Sequence, residues 1–259
     1  MQGFKVTMSE PMNGARFNII ADDVEIGESV QLGCFNIIHE RVKLGRGTVV
    51  GNHCVIYPGT VVGESCRILD HDILGRRPMT PLGVTSRKLK QRYSPLVIGQ
   101  GCVIGVGAVL YCGSKIGDNV LIGDYVSVRE DCEIGDNCLI ARFVSINYNS
   151  KIGNNVKIMD ATYITGNMLV EDRCFISMHV VTANDNALGR LPYSEDRVRG
   201  PTIREGSAVG ANASLLPGVV IGKNCIIAAN CLVTRSVPDG KVVMGIPGKI
   251  VRDVDEVLR

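Results

Sequence analysis

The stretch Ile116–Ile140 reads IGDNVLIGDYVSVREDCEIGDNCLI, with Ile116, Ile122, Val128, Ile134 and Ile140 standing six apart. Outward from there the step holds from Ile98 to Ile176, fourteen hexads with Ile, Leu or Val at the first position. It holds again over ten hexads from Ile20 to Leu74 and over six from Ile203 to Val233, which makes thirty in all. A period of six fits neither an amphipathic helix nor a two-sided strand, and a fixed short period is the signature of a repeat architecture. Each hexad supplies one flat face of a coil. Three faces, about eighteen residues, close a turn, and about ten turns stack at the strand spacing of about 4.8 Å. The expected product is an all-β chain, a parallel β-helix in which every turn touches only its neighbours.

The other hexad positions agree. Gly45, Gly63, Gly99, Gly117 and Gly135 follow the aliphatic residue, and Asp or Asn comes next in IGDN and IGNN. These types tolerate left-handed backbone angles and make tight corners. The pattern resembles the left-handed hexapeptide-repeat acyltransferases over about residues 20–250, and the left hand is implied by that resemblance. The repeat is also shared by γ-class carbonic anhydrases and by some translation-factor and dynactin subunits, so it specifies fold more than function.

Composition narrows the classes. The chain has 259 residues, no Trp and 30 Gly, which suits a narrow coil filled by aliphatic and small side chains within one domain, 1–259. A net charge of +2 gives no reason to expect nucleic acid. There is no signal-peptide pattern and no long apolar run, which predicts a soluble cytoplasmic protein with no membrane partner. Of ten Cys, eight (Cys54, Cys66, Cys102, Cys132, Cys138, Cys174, Cys225 and Cys231) occupy the fifth, inward hexad position. With no C-x-x-C pair, they read as small reduced core residues and not as metal ligands. The histidines agree: His53 and His71 share the fourth position one turn apart, His39 does not, and no third ligand converges. No metal is expected.

Function is sought where the repeat is interrupted. Residues 75–95 keep the register but lose the aliphatic pattern, and carry Arg76, Arg77, Arg87, Lys88, Lys90 and Arg92 without an acid. Guanidinium forks suit the paired oxygens of a diphosphate, so Arg76, Arg77, Arg87, Lys88 and Arg92 are the substrate-binding candidates. Residues 182–201 break the register and form the second loop. A C-terminal cap, 238–259, closes the rod.

The second loop opens on Val181-Thr182-Ala183-Asn184-Asp185. This resembles the T-N-D segment of nucleotide-linked amino-sugar N-acetyltransferases, where related acetyltransferases carry T-x-x-H-P with a catalytic His. No His stands here, so the resemblance makes Asn184 and Asp185 the catalytic candidates. Leu69-Asp70-His71-Asp72 resembles the His-acid pair of UDP-sugar acyltransferases, including the bacillosamine type, and gives His71 as a rival base. Val242-Val243-Met244-Gly245-Ile246-Pro247-Gly248-Lys249 resembles the closing V-x-G-x-P-A-K segment of CoA-dependent members. That likeness implies acyl-CoA along the last coils, its phosphates near Lys241, Lys249 and Arg252, and the Ala211 N–H as oxyanion donor and cofactor contact. It further implies a homotrimer with sites in clefts between rods. The expected reaction is N-acyl transfer to a dTDP- or UDP-linked amino sugar. The rivals are an O-acyltransferase, an acyl-carrier-protein-dependent enzyme of lipid A type, and a non-catalytic scaffold.

Overall fold

The computed structural model describes residues 4–9, 16–81, 83–85 and 87–256. Leu82 and Ser86 of the first loop and residues 257–259 of the expected cap lie outside the described residues. Within them the chain is a coil with a strand at every predicted hexad, nearly all of two residues, paired in parallel and in register with the hexad one turn on. Three sheets result, of twelve, twelve and ten strands. Each of the two larger sheets ends on one antiparallel strand, Phe4–Ser9 at one end and Lys249–Asp253 at the other. Without these the coils number ten to eleven, in line with the ten turns read from the hexad. We call the face that contains Ile73–Arg76 the first, that of Val97–Ile98 the second, and that of Arg67–Ile68 the third. No helix among the described residues is long and apolar enough to cross a membrane.

Beyond the first coil, where Ile26 is exposed, the first hexad position points inward: Ile38, Ile56, Ile104, Ile122, Ile140, Ile146 and Ile158 have no exposed surface and belong to one continuous core cluster. The corner work is divided among three positions. The second-position glycines are needed for stacking, because a Cβ on Gly63 would lie 2.6 Å from the Gly99 carbonyl carbon. The left-handed angle is taken by the fourth position, with φ of 55°, 56° and 56° at Asn119, Asn137 and Asn155. The third-position Asp or Asn closes the corner by accepting an N–H from the turn before. Asp118 Oδ1 takes that of Gln100 at 2.9 Å, and Asp136 Oδ1 that of Asp118 at 2.8 Å.

The fifth position carries an interior hydrogen-bond ladder, and this is why it is not simply apolar. Asn36 Nδ2 donates to the Gly51 carbonyl at 2.9 Å, while its Oδ1 accepts the Cys54 N–H at 2.8 Å. Ser114 Oγ does the same between the Arg129 carbonyl, at 2.7 Å, and the Cys132 N–H, at 3.1 Å. The cysteines fill the donor half: Cys102 Sγ lies 3.1 Å from the Gly117 carbonyl and Cys138 Sγ 3.0 Å from that of Gly153. A thiol is a small apolar group with a weak donor, so it satisfies a buried carbonyl at little cost in volume. All ten cysteines are free, and all but Cys34 are buried.

Asp72 occupies the same position and fills only half of the ladder. Its Oδ1 accepts the Ala108 N–H at 2.7 Å, while Oδ2 is buried with no partner among the described residues. Burial pushes its pKa up to about 8, against the pull of the Ala108 N–H. The folded value therefore lies above the unfolded one. The carboxyl's contribution to stability is fully present below the unfolded value near 3.8 and is lost as pH rises through about 8. An amide satisfies both halves at any pH, as Asn36 does. Asp72→Asn is expected to melt close to the wild type at pH 4 and to be more stable at pH 8 to 9 by about 1–3 kcal/mol, the usual cost of an unsatisfied buried polar group. Thermal melts across that range check this, and a difference independent of pH would contradict it.

Candidate active site

Both inserted loops leave the coil at one edge, where the first face turns into the second. The third hexad position of the first face runs down this edge with a step of eighteen residues and brings Glu130, Tyr148, Gly166 and Asn184 into one column. Gly166 makes room for Tyr148, since a Cβ there would sit 2.7 Å from the phenol ring. The Asn184 amide donates to the Gly166 carbonyl at 3.0 Å and contacts the Tyr148 phenol, whose pKa is raised by burial.

The basic loop leaves after Ile73–Arg76 and travels along the edge to this column. The Arg87 guanidinium lies 3.6 Å above the centroid of the Tyr148 ring and 2.6 Å from the carboxylate of Glu130, which is wholly buried. Lys90 pairs with Asp131 at 2.9 Å. Two of the six cations grouped in the sequence therefore have acidic partners within the chain. Arg76 and Arg77 instead line a groove of about 520 Å³ together with Tyr57, Met79, Tyr93 and Pro95, with Arg77 also donating to the Gln91 carbonyl at 3.2 Å. Lys88 and Arg92 are exposed. A second groove, of about 610 Å³, lies on the second face just past the edge, lined by Ser94, Lys115, Asp131, Asn149, Lys151 and Asn167 among others.

The second loop packs against the same column. Tyr193 meets the Tyr148 ring edge-on at 6.3 Å, and Asn167 Nδ2 donates to the Val198 carbonyl at 2.9 Å. Asp185 is held inside the loop, where its two oxygens accept the N–H groups of Ala187 and Gly189 at 2.8 and 2.9 Å. Those bonds, Gly189 foremost, hold its pKa below the usual carboxylate range. Such a carboxylate shapes the loop well and takes up protons poorly.

His71 and Ala211 lie elsewhere, on the edge between the third and first faces. His71 is exposed and stacks on His53 with ring centroids 5.0 Å apart. Neither neighbouring carboxylate serves it. Asp70 is engaged by the Asn52 N–H at 2.6 Å, and Asp72 points into the core. The strands Ile73–Arg76 and Val181–Thr182 are five steps apart in the first sheet, so His71 and Asn184 are separated by about 24 Å along the rod. Ala211 is level with Asn184 but across the face. Its N–H finds no acceptor among the described residues, because the residue one turn on, Ala229, lacks the carboxylate or amide that closes the corners above. Lys241, Lys249 and Arg252 lie on the closing hairpin, where Lys241 pairs with Asp253. Sequence reasoning missed Glu130 and Tyr148. The signal that finds them is the eighteen-residue step, read down the third position as well as the first.

Comparison with known proteins agrees with this architecture. A model described as "Bacterial transferase hexapeptide (six repeats)" matches residues 23–58, 113–147 and 200–235, and one described as "Hexapeptide repeat of succinyl-transferase" matches residues 95–124. The chain is 46% identical over 55 residues to the 2,3,4,5-tetrahydropyridine-2,6-dicarboxylate N-acetyltransferase of Staphylococcus aureus, a match that spans 21% of this chain and 23% of that enzyme. Among solved structures it is similar to the UDP-N-acetylglucosamine acyltransferase of Arabidopsis, with a TM-score of 0.60, 20% identity, and 93% of this chain and 74% of that one covered. The Francisella novicida UDP-N-acetylglucosamine acyltransferase gives a TM-score of 0.53 at 19% identity, over 93% and 70% of the two chains. At such identities these two likenesses speak for the fold. The repeat read in the sequence, thirty hexads in three blocks, is thus matched by hexapeptide-transferase models over residues 23–58, 95–147 and 200–235.

Proposed function

We propose that the chain is an N-acyltransferase that moves an acyl group from acyl-CoA to the amino group of a dTDP- or UDP-linked sugar, and that it works as a homotrimer. The observation that carries this reading is the convergence of the two irregular loops on one edge of an otherwise regular rod. There the basic loop brings Arg87 onto the Tyr148 ring beside a held amide, Asn184. The N-acetyltransferase match supports the reaction class. The distance between the edges supports the trimer. Ala211 and Asn184 sit at opposite edges of the first face, so a second rod must bring its own edge alongside for both to serve one reaction. The outward residues of the first and third faces suit such an interface: Ile19, Tyr163, Val181, Leu121 and Phe175 are exposed apolar side chains. The second face mixes ion pairs, Lys43 with Glu25 and Lys151 with Glu133, with the exposed apolar Val97, Leu169 and Val220.

In this reading the neutral amine attacks the thioester carbonyl carbon, and the carbonyl oxygen takes up negative charge at the open N–H of Ala211. The carbon–sulfur bond then breaks, and the thiolate receives the proton the amine has lost. Asn184 holds the amine. Lys249, Arg252 and Lys241 on the closing hairpin meet the CoA phosphates, while Lys88 and Arg92, exposed on the loop that reaches the Tyr148 column, meet the diphosphate. Arg87 is already occupied by Glu130. A neutral amine needs orientation and an oxyanion donor more than a strong base, which suits a site whose carboxylate, Asp185, is spent on its own loop. Mass-spectrometric detection of product from acyl-CoA with a panel of UDP- and dTDP-linked amino sugars tests the assignment. Transfer only to the matching hydroxyl sugars, or only from acyl carrier protein, would replace it.

Two outcomes follow for variants. Replacing Lys88 and Arg92 with Ala is expected to raise the KM for the nucleotide sugar while leaving that for acyl-CoA nearly unchanged, at about 1.5–3 kcal/mol per charge-assisted bond lost. Steady-state kinetics with each substrate varied in turn decides this. Asn184→Ala is expected to lower kcat/KM for the sugar by about 10²–10³, with the coil intact, whereas His71→Ala remains active. The reverse ranking of these two variants would move the site to the other edge.

A further inference from the structure

Glu130 has no role in the chemistry above, yet it is the most completely buried carboxylate along the loop-bearing edge. Its side chain is 0% exposed and paired with two guanidiniums, Arg87 at 2.6 Å and Arg129 at 2.8 Å. Burial pushes its pKa up, and the Arg87 and Arg129 bonds more than offset this, so the group stays below the ordinary range. A carboxylate held this way is a fixed charge, and removing one partner strands the other. Arg87 itself belongs to a loop that leaves the coil at the strand Ile73–Arg76, two strands away from Ser127–Val128, which Glu130 follows in the same sheet. That pair therefore ties the loop about 10 Å along the rod from its root. The second tie, Lys90 to Asp131, joins a cation that is 60% exposed and is correspondingly screened by solvent.

The tie reaches further than the loop. With Arg87 drawn down to Glu130, its guanidinium lies on the Tyr148 ring, and that ring lies over Gly166, beside the Asn184 amide, and against Tyr193 of the second loop. We propose that Glu130 is a positioning residue that acts through Arg87, a latch that holds the basic loop over Tyr148 and so fixes Asn184 and the second loop in one arrangement. The functional half of this rests on the N-acyltransferase reading; the mechanical half does not. Its consequence is a site whose anion-binding loop and amine-holding loop move together, because one stacked ring lies between them.

Glu130→Gln keeps the shape and removes the charge. The expected result is a coil of unchanged circular dichroism, faster hydrogen exchange in peptides covering residues 87–95 and 184–193, and a loss of roughly 10²-fold in kcat for the nucleotide sugar, the scale of a small misplacement at a reacting centre. The KM for acyl-CoA stays as in the wild type, and Glu130→Asp recovers part of the kcat. Unchanged exchange in both loops in a folded Glu130→Gln protein would overturn the latch, and so would a uniform drop in melting temperature with kcat intact. Should that variant fail to fold, Tyr148→Leu, which removes the ring under Arg87 at a half-buried position, is measured in the same way and judged by the same outcomes. A wild-type protein that acylates no nucleotide sugar would instead overturn the proposed function, and the exchange data would still decide the latch.

Discussion

Everything in this molecule depends on hydrogen bonds that run between coils and not within them. A two-residue strand has no partner in its own turn, so its peptide groups are satisfied only by the hexad one turn on. This forces every coil to the same length and the same three corners. It also explains the fifth position, whose side chains donate to a carbonyl on the next turn and accept an N–H from it, and which is filled by Asn, Ser, Thr or Cys as well as by valine. The aliphatic first position supplies the hydrophobic driving force, and the ladder at the fifth fixes the register.

Such a rod has little freedom to build a site. A face cannot be altered without breaking two sheets' worth of pairing, so irregular chain leaves at a corner and re-enters at the next hexad. The first loop does this between Arg76 and Leu96 without losing register, as the bond from the Gly113 N–H to the Ser94 carbonyl at 2.7 Å shows. Once both loops use the same corner, the residues between their roots become the floor of whatever they enclose. That floor departs from the corner rule seen elsewhere. Where corners such as Asp118 and Asp136 carry Asp, this column has Glu130, Tyr148 and Gly166 before Asn184: Glu130 meets Arg87 and Arg129, and Gly166 makes room for Tyr148. The edge on the far side of the first face follows the opposite course, with stacked rings at Phe35, His53 and His71 and a peptide N–H left open at Ala211.

The hexad made the coil, its inward residues and both loops legible, because a strict period translates directly into position around the rod. The reading of the corners was only partly right. Left-handed angles belong to Asn119 and its equivalents, while glycines such as Gly63 answer to close stacking, a distinction that appears only when adjacent turns are placed on each other. The cysteines were legible as inward and small, but their S–H bonds to carbonyls were not, since a donor's target lies fifteen residues away on another face. The separation of His71 from Asn184 was present in the register, which puts one after a third-face hexad and the other after a first-face hexad. The path of the basic loop was not present there: nothing in residues 75–95 announces that Arg87 will reach Glu130, forty-three residues on.

The central claim is that one edge of the rod binds the nucleotide sugar while the open peptide of the opposite edge, supplied by a neighbouring rod, meets the thioester. A crystal structure with CoA and a nucleotide-linked amino sugar bound tests both parts at once. The account predicts the diphosphate against the basic loop at Lys88 and Arg92, the sugar amine at Asn184, and the sulfur of CoA close to the Ala211 N–H of an adjacent subunit. A sugar amine seated at His71, or both ligands bound wholly within one rod, would contradict it.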